Sequence, residues 1–325
     1  VVRPFCLCAG CDGIPRRLGF FRLVPITLPG MSSTSESETT PETAQLPGMP
    51  EPKKVARPRP LALSASRASD YRQCPLLYRL RTIDKLPEPK TKAQVLGTTV
   101  HSALENLYAL PQSERTTAKA TALAEAEAEK SLAEGGIAAD VIEPDKHEAF
   151  TGEAAQLVRG LYVVEDPTRF DPTSCEDYLV TATEHGTPLH GFVDRIDVAP
   201  TGEVRVVDYK TGKPPRPGYE RTALAQMRFY ALMYFLIRGD IPTQLKLIYL
   251  KNGSFLTLSP TDHMLAETAR ELDALWADIE RDGKEGTFEP KTSKLCGWCN
   301  HKAHCPAFGG TPPEYPGWPG TRQVG

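Results

Sequence analysis

Gly191–Lys213 reads GFVDRIDVAPTGEVRVVDYKTGK, a hairpin that fixes what kind of sheet this chain builds. Two runs of alternating apolar residues flank Pro200, Thr201 and Gly202. That is a three-residue loop with glycine where a left-handed backbone is wanted. With Ala199 facing Glu203, Val198 falls opposite Val204, Ile196 opposite Val206 and Asp194 opposite Asp208. Side chains alternate faces along a strand. Phe192, Asp194, Ile196 and Val198 are therefore expected to share a face with Val204, Val206, Asp208 and Lys210. That face is the more apolar one, yet it carries two carboxylates and an ammonium. Opposed residues sit with Cβ atoms roughly 5 Å apart, and like charges that close in a half-buried site repel unless a cation intervenes. Two arrangements answer this: a divalent metal, since hard cations take carboxylate oxygens, or a buried Asp–Lys ion pair with the second Asp solvated. Arg195 points to the other face, as a packing or salt-bridge residue.

The bulk properties fit a soluble enzyme. The chain has 325 residues and a net charge of -3, which argues against general electrostatic coating of nucleic acid and leaves room for a local basic channel. No apolar run reaches transmembrane length, so no membrane partner is expected. The eight cysteines are too few and too unevenly spread for a disulfide framework, and four of them suggest a metal site instead. A cytoplasmic setting is the default.

Residues 1–60 are expected to be a disordered N-terminal extension and linker. Cys6, Cys8 and Cys11 cluster there without a nearby fourth ligand, and FFRLVPITL makes a weak signal peptide. Val1 to Gly30 reads as an upstream extension ahead of Met31; a Ser/Thr/Glu run and a Pro-rich linker follow. Order is expected over 61–306, with 307–325 a disordered tail. Ser66 is read as the cap of a short helix ending near Cys74 and Pro75. Arg67, Arg72, Arg79 and Arg81 make this the most basic folded stretch, either a solvated face or a set of phosphate contacts. Gly97 and Thr98 are read as opening a helix with Val100, Leu104, Leu107 and Tyr108 on its apolar stripe. His101 and Glu105, four apart, share the edge of that stripe, where a histidine is either a packing residue or a ligand. Further helices are predicted over about 116–134, 147–164, 221–238 and 261–282. Strands are predicted over 176–185, in the two arms of the hairpin, and over 244–250 and 254–258 around Asn252 and Gly253. Gln226 and Tyr230 lie one turn apart on the helix that follows the hairpin. The order describes an α/β fold, a mixed central β-sheet flanked by helices, with a cysteine loop at its C-terminal end.

That loop places Cys296, Cys299 and Cys305 at C-x2-C-x5-C spacing. Three close thiols require a fourth ligand for a tetrahedral site or an iron–sulfur cluster. His301 or His304 would complete a local zinc site; Cys74, far earlier in the chain, is the other candidate.

Taken together, SASRASDYRQCP, GTTVHSALE, GFVDRID, VVDYKTGK, QMRFYALMY and the final C-x2-C-x5-CP resemble the RecB-type exonuclease branch of the PD-(D/E)xK nucleases. That branch includes the RecB and AddB nuclease domains and the CRISPR-associated 4Fe–4S nucleases. The resemblance runs from about Leu61 to Pro306. It implies a restriction-endonuclease-like core in which His101, Asp194, Asp208 and the Tyr209 carbonyl ligate Mg2+ or Mn2+, and Lys210 is catalytic with Asp194 and Asp208. Gln226 and Tyr230 match the helix motif beside the site, with Glu105 in support. Cys74, Cys296, Cys299 and Cys305 match a four-cysteine 4Fe–4S staple, for which structural Zn2+ is the alternative. The middle carboxylate of the motif is Asp here, which the family allows. Arg67 and Arg72 become candidates for binding DNA. The expected activity is exonucleolytic, on single-stranded ends in repair or recombination. Spacer processing in CRISPR adaptation is a second possibility, and a non-catalytic DNA-binding subunit of the same fold is a third. The chain has no G-x-x-x-x-G-K-[ST] motor motif, so a helicase would be a separate partner.

Overall fold

The structure, a computed structural model, describes residues 61–216, 218 and 220–320. The expected N-terminal extension, with Cys6, Cys8 and Cys11, lies outside the described residues. Chain order runs through α1 (Ala65–Gln73), α2 (Pro75–Tyr78, continuing into a π turn at Arg79–Ile83), α3 (Lys92–Tyr108), α4 (Thr117–Leu132) and α5 (His147–Val164). The strands β1 (Ser174–Ala182), β2 (Pro188–Val198) and β3 (Val204–Lys210) follow. Then come α6 (Arg221–Arg238), β4 (Gln244–Tyr249), β5 (Ser254–Leu258) and α7 (Asp262–Glu285). Among the described residues no helix is long and apolar enough to cross a membrane.

The strands form one five-stranded sheet in sequence order. β1, β2 and β3 are an antiparallel meander, β3 and β4 run parallel, and β5 returns antiparallel to β4. Parallel neighbours need a crossover, and α6 supplies it. This is the mixed sheet flanked by helices that the element order predicts. The hairpin has the predicted register: Val198 pairs with Val204 and Ile196 with Val206, the Ala199 N–H donates to the Glu203 carbonyl at 2.9 Å, and Gly202 takes φ 97°.

Two apolar clusters sandwich the sheet. One joins α1, α6 and α7 to it, with Tyr71, Val206, Met233, Leu247 and Trp276 buried. The other joins α3, α4 and α5, with Leu104, Phe150, Leu161, Val207 and Ile248. Strict alternation fails at one place. Leu179 and Val193 belong to the first cluster, whereas Cys175 packs against the second and Arg195 lies under Tyr108 and Tyr209. Residues of equal parity thus change sides between 175 and 179 on β1 and between 193 and 195 on β2. Glu176 and Asp194 sit at this crossover, and Glu176 holds a left-handed φ of 49°. Phe192 therefore does not join the apolar face predicted for it; it is exposed.

Several boundaries differ from the sequence reading. α1 is capped by Ser64, not Ser66: the Ser64 hydroxyl accepts from the Arg67 N–H at 3.2 Å. α3 starts five residues before Gly97, because Thr91 and Gln94 form a reciprocal capping box; each side chain satisfies an N–H that has no partner within the helix. The supposed tail is packed over its described part. Tyr315 donates to the Gly283 carbonyl at 2.7 Å, Trp318 lies 6.1 Å from Trp276 between ring centroids, and the Leu61 N–H donates to the Gly320 carbonyl at 2.9 Å. Trp318 needs Gly283 beneath it, since a Cβ there would lie 2.2 Å from the indole. Two large rings in a Pro/Gly-rich stretch gain enough by burial to hold it.

Candidate metal centre

The crossover in the sheet assembles the site. Asp194 falls opposite Glu176 in the β1–β2 register and opposite Asp208 in the β2–β3 register, but neither pair is a ladder pair. Instead Asp194 Oδ2 accepts from the Tyr209 N–H at 2.7 Å. A side chain takes over the backbone's partner, and three carboxylates are left side by side. α3 brings His101 onto them. Its Nε2 donates to the Tyr209 carbonyl at 3.1 Å, which turns Nδ1 toward Asp194 Oδ1 at 3.5 Å and Glu176 Oε1 at 3.8 Å. One ligand atom from each of His101, Glu176 and Asp194 lies within 4.8 Å of the others.

Burial alone would lower the His101 pKa, but the Asp194 and Glu176 carboxylates outweigh it and push it up to about 10. Asp208 is also buried. Burial first, then the Asp194 charge, push its carboxyl up to about 6 although Lys210 opposes them. Lys210 Nζ is 2.6 Å from Asp208 Oδ2 at an angle that leaves that oxygen without a hydrogen bond. Lys210 Nζ also donates to Gln226 Oε1 at 2.9 Å, and Gln226 Nε2 donates to Asp208 Oδ1 at 3.0 Å. Tyr230, one turn along α6, stands 3.5 Å from the same amide, and burial pushes its hydroxyl up to about 12.

These residues fit a divalent cation. His101, Glu176 and Asp194 converge to within 4.8 Å, with the Asp208 carboxylate beside them, and so many negative groups in one place call for positive charge. The donor set, carboxylates with one imidazole and a carbonyl, suits a hard ion such as Mg2+ or Mn2+. His101, Asp194, Asp208, Tyr209, Lys210, Gln226 and Tyr230 thus come together as the sequence places them. Glu176 joins them without a motif of its own in the sequence, its one signal being the β1–β2 register that sets it opposite Asp194. Glu105 is exposed and outside the acidic trio.

Behind the site, Arg195 is fully buried (0% exposed). Its Nη1 reaches Glu165 Oε1, Tyr108 Oη and Tyr209 Oη at 2.5 Å each, and its Nε is 3.0 Å from Asp197. Burial opposes the ionised Glu165, yet the Arg195 guanidinium holds its carboxyl below the usual range. Arg195 is the salt-bridge residue the alternation suggests. By holding Tyr209 it steadies the carbonyl and N–H that His101 and Asp194 use.

Cys74 is placed with the C-terminal triplet. Cys74, Cys296, Cys299 and Cys305 line one cavity, walled by Leu77 and Leu80. The Lys291 N–H donates to Cys74 Sγ and the Ser293 N–H to Cys296 Sγ, each at 3.3 Å. His301 also lines the cavity, but its Nε2 lies 2.8 Å from Glu88 Oε1. Of the arginines, Arg67 Nη1 donates to the Ala62 carbonyl at 2.7 Å and lies 3.1 Å from His190 Nε2, while Arg72 pairs with Glu271 at 3.5 Å.

An acidic cluster with an adjacent lysine is thus set on a mixed sheet between helices. The sequence model of the PD-(D/E)XK nuclease superfamily matches residues 62–306, and the chain belongs to that superfamily. No curated protein matches the sequence. Among solved structures, a candidate exonuclease from Eubacterium rectale is 14% identical, over 74% of this chain and 87% of that one, with a TM-score of 0.49. A protein designated SSO0001 is 16% identical over 72% and 94%, with a TM-score of 0.33.

Proposed function

We propose that this chain is a Mg2+- or Mn2+-dependent deoxyribonuclease of the RecB type, an exonuclease that works on single-stranded DNA ends in the cytoplasm during repair or recombination, with any unwinding left to a separate helicase. The observation that carries this reading is the His101–Glu176–Asp194 trio beside the buried Asp208 and Lys210. A divalent ion held by these carboxylates, His101 and the Tyr209 carbonyl would supply Lewis acidity toward a phosphodiester and lower the pKa of a water. Lys210 brings a fixed positive charge to the same place, where it can orient the attacking water and stabilise charge that develops on a phosphoryl oxygen. Gln226 is a positioning residue: one amide holds both the ammonium and Asp208. To act as a ligand beside the Tyr209 carbonyl, His101 must present a deprotonated ring nitrogen, so loading is favoured as pH rises.

The four cysteines are read as the ligands of a 4Fe–4S cluster. Backbone N–H groups aimed at two of the sulfurs favour thiolates.

Digestion of end-labelled single and double strands tests the reading. Wild type should shorten single strands only with Mg2+ or Mn2+ present. Asp208→Ala should abolish cleavage with the fold intact, and Lys210→Ala should abolish turnover while metal binding persists. Unimpaired Mg2+-dependent cleavage by Asp208→Ala would remove the assignment.

A further inference from the structure

Beyond the carboxylates, the outer half of the β1–β2 ladder carries aromatic rings in the open. Tyr178 and Phe192 pair directly across the two strands. Their ring centroids are 4.7 Å apart at 37°, yet they are 44% and 55% exposed. Tyr178 also touches the His190 ring, with centroids 6.1 Å apart, and His190 lies 3.1 Å from Arg67. At the other end of this row, Tyr178 is two residues from Glu176 and Phe192 two residues from Asp194. Cation, imidazole and two rings thus form one row on the same two strands that carry the candidate metal-binding carboxylates.

Neither ring belongs to the two apolar clusters that sandwich the sheet. The neighbouring side chains, Leu179 and Val193, are already buried under α6, so these strands have their apolar face on the other side. The open side of an antiparallel pair is ordinarily polar. An aromatic cross-strand pair adds some sheet stability, but a polar pair would do so without leaving two large rings half in water.

We propose that Tyr178 and Phe192 form a stacking platform for the bases of single-stranded DNA, with Arg67 contacting a backbone phosphate. The choice of polymer rests on the nuclease reading of the adjacent site. Ring faces accept any base, which suits a sequence-tolerant nuclease, and only a single strand has bases free to be stacked. Two strand residues advance about 6.6 Å, and stacked nucleotides about 3.4 Å. A base on Phe192 therefore belongs to a nucleotide one or two steps from the phosphodiester at Asp194. Arg67 uses one nitrogen on the Ala62 carbonyl and retains further N–H donors for a phosphate.

Fluorescence anisotropy of labelled oligothymidylate in EDTA reads binding without cleavage. Tyr178→Ala and Phe192→Ala should each weaken it roughly 5- to 100-fold. Phe192→Tyr should retain it, and Phe192→Leu, with bulk but no ring, should behave as the alanine variant. An abasic strand of equal length should bind wild type weakly and lose nothing more on mutation. Unchanged affinity in the alanine variants overturns the proposal, and so does an equal loss on the abasic strand. A parallel digestion with Mn2+ separates the two readings. If wild type cuts nothing but the anisotropy pattern holds, the nuclease reading fails and the platform stands. Cleavage and binding that ignore the rings leave the nuclease and remove the platform.

Discussion

Glu176 completes the acidic group from a backbone conformation that non-glycine residues seldom adopt. A left-handed φ costs an L-residue of this kind about 1–2 kcal/mol, and such cost tends to persist where function requires it. Glu176→Gln should weaken Mn2+ binding at least about tenfold by calorimetry. The melting temperature should stay level or rise, since one of three crowded charges is gone. Full Mn2+ affinity in this variant would take Glu176 out of the ligand set. Arg195 shows the opposite balance. Its charge is buried among Glu165, Asp197 and two tyrosine hydroxyls, so Arg195→Met leaves two buried carboxylates short of a partner. Urea unfolding should show a loss of roughly 3–5 kcal/mol; a loss within experimental error would mean that Lys246, 3.4 Å from Glu165, and Arg205, 2.8 Å from Asp197, suffice to compensate.

At the scale of elements, the site depends on how closely the helices approach the sheet. α5 meets the end of β4 at Gly160, where an added Cβ would lie 1.8 Å from the Leu250 carbonyl oxygen. Backbone on backbone cannot yield as a side chain can. Gly160→Ala should therefore destabilise by about 1–3 kcal/mol through overpacking, although alanine is the better helix former. A thermal melt at or above wild type would show that α5 can slide. α3 has its own fixed start: the Thr91–Gln94 box sets the first turn, and the helix then delivers His101 to the Tyr209 carbonyl almost three turns later.

At the scale of the molecule, Cys74 joins the end of α1 to a loop more than 200 residues away. A cluster shared by Cys74 and that loop, as proposed, would restrict the unfolded chain by about 5 kcal/mol by analogy with a disulfide of similar span. Anaerobically purified protein should be brown. Cys74→Ser should bleach it and lower its melting temperature. A colourless protein with one bound zinc, indifferent to Cys74→Ser, would decide for a local site instead. The segment 307–320 ties down the same region from the other side, through Tyr315 and Trp318 on α7 and Phe288.

Features that depend on neighbours along the chain are legible in the sequence. The hairpin register follows from one turn and two alternating runs, and the spacing of Asp208 and Lys210 puts both on one side of β3. α5 and α6 are legible in their apolar periodicity. Features that depend on strands and helices meeting come from the fold. The register sets Glu176 opposite Asp194, but its carboxylate reaches His101 because two strands change faces at that level, where Glu176 leaves the extended φ that alternation assumes. Phe192 is exposed for the same reason. Gln226 links Lys210 to Asp208 only once α6 lies on the sheet. The tail is ordered because Gly283 leaves room for Trp318, a fit between residues 35 apart that no local pattern records.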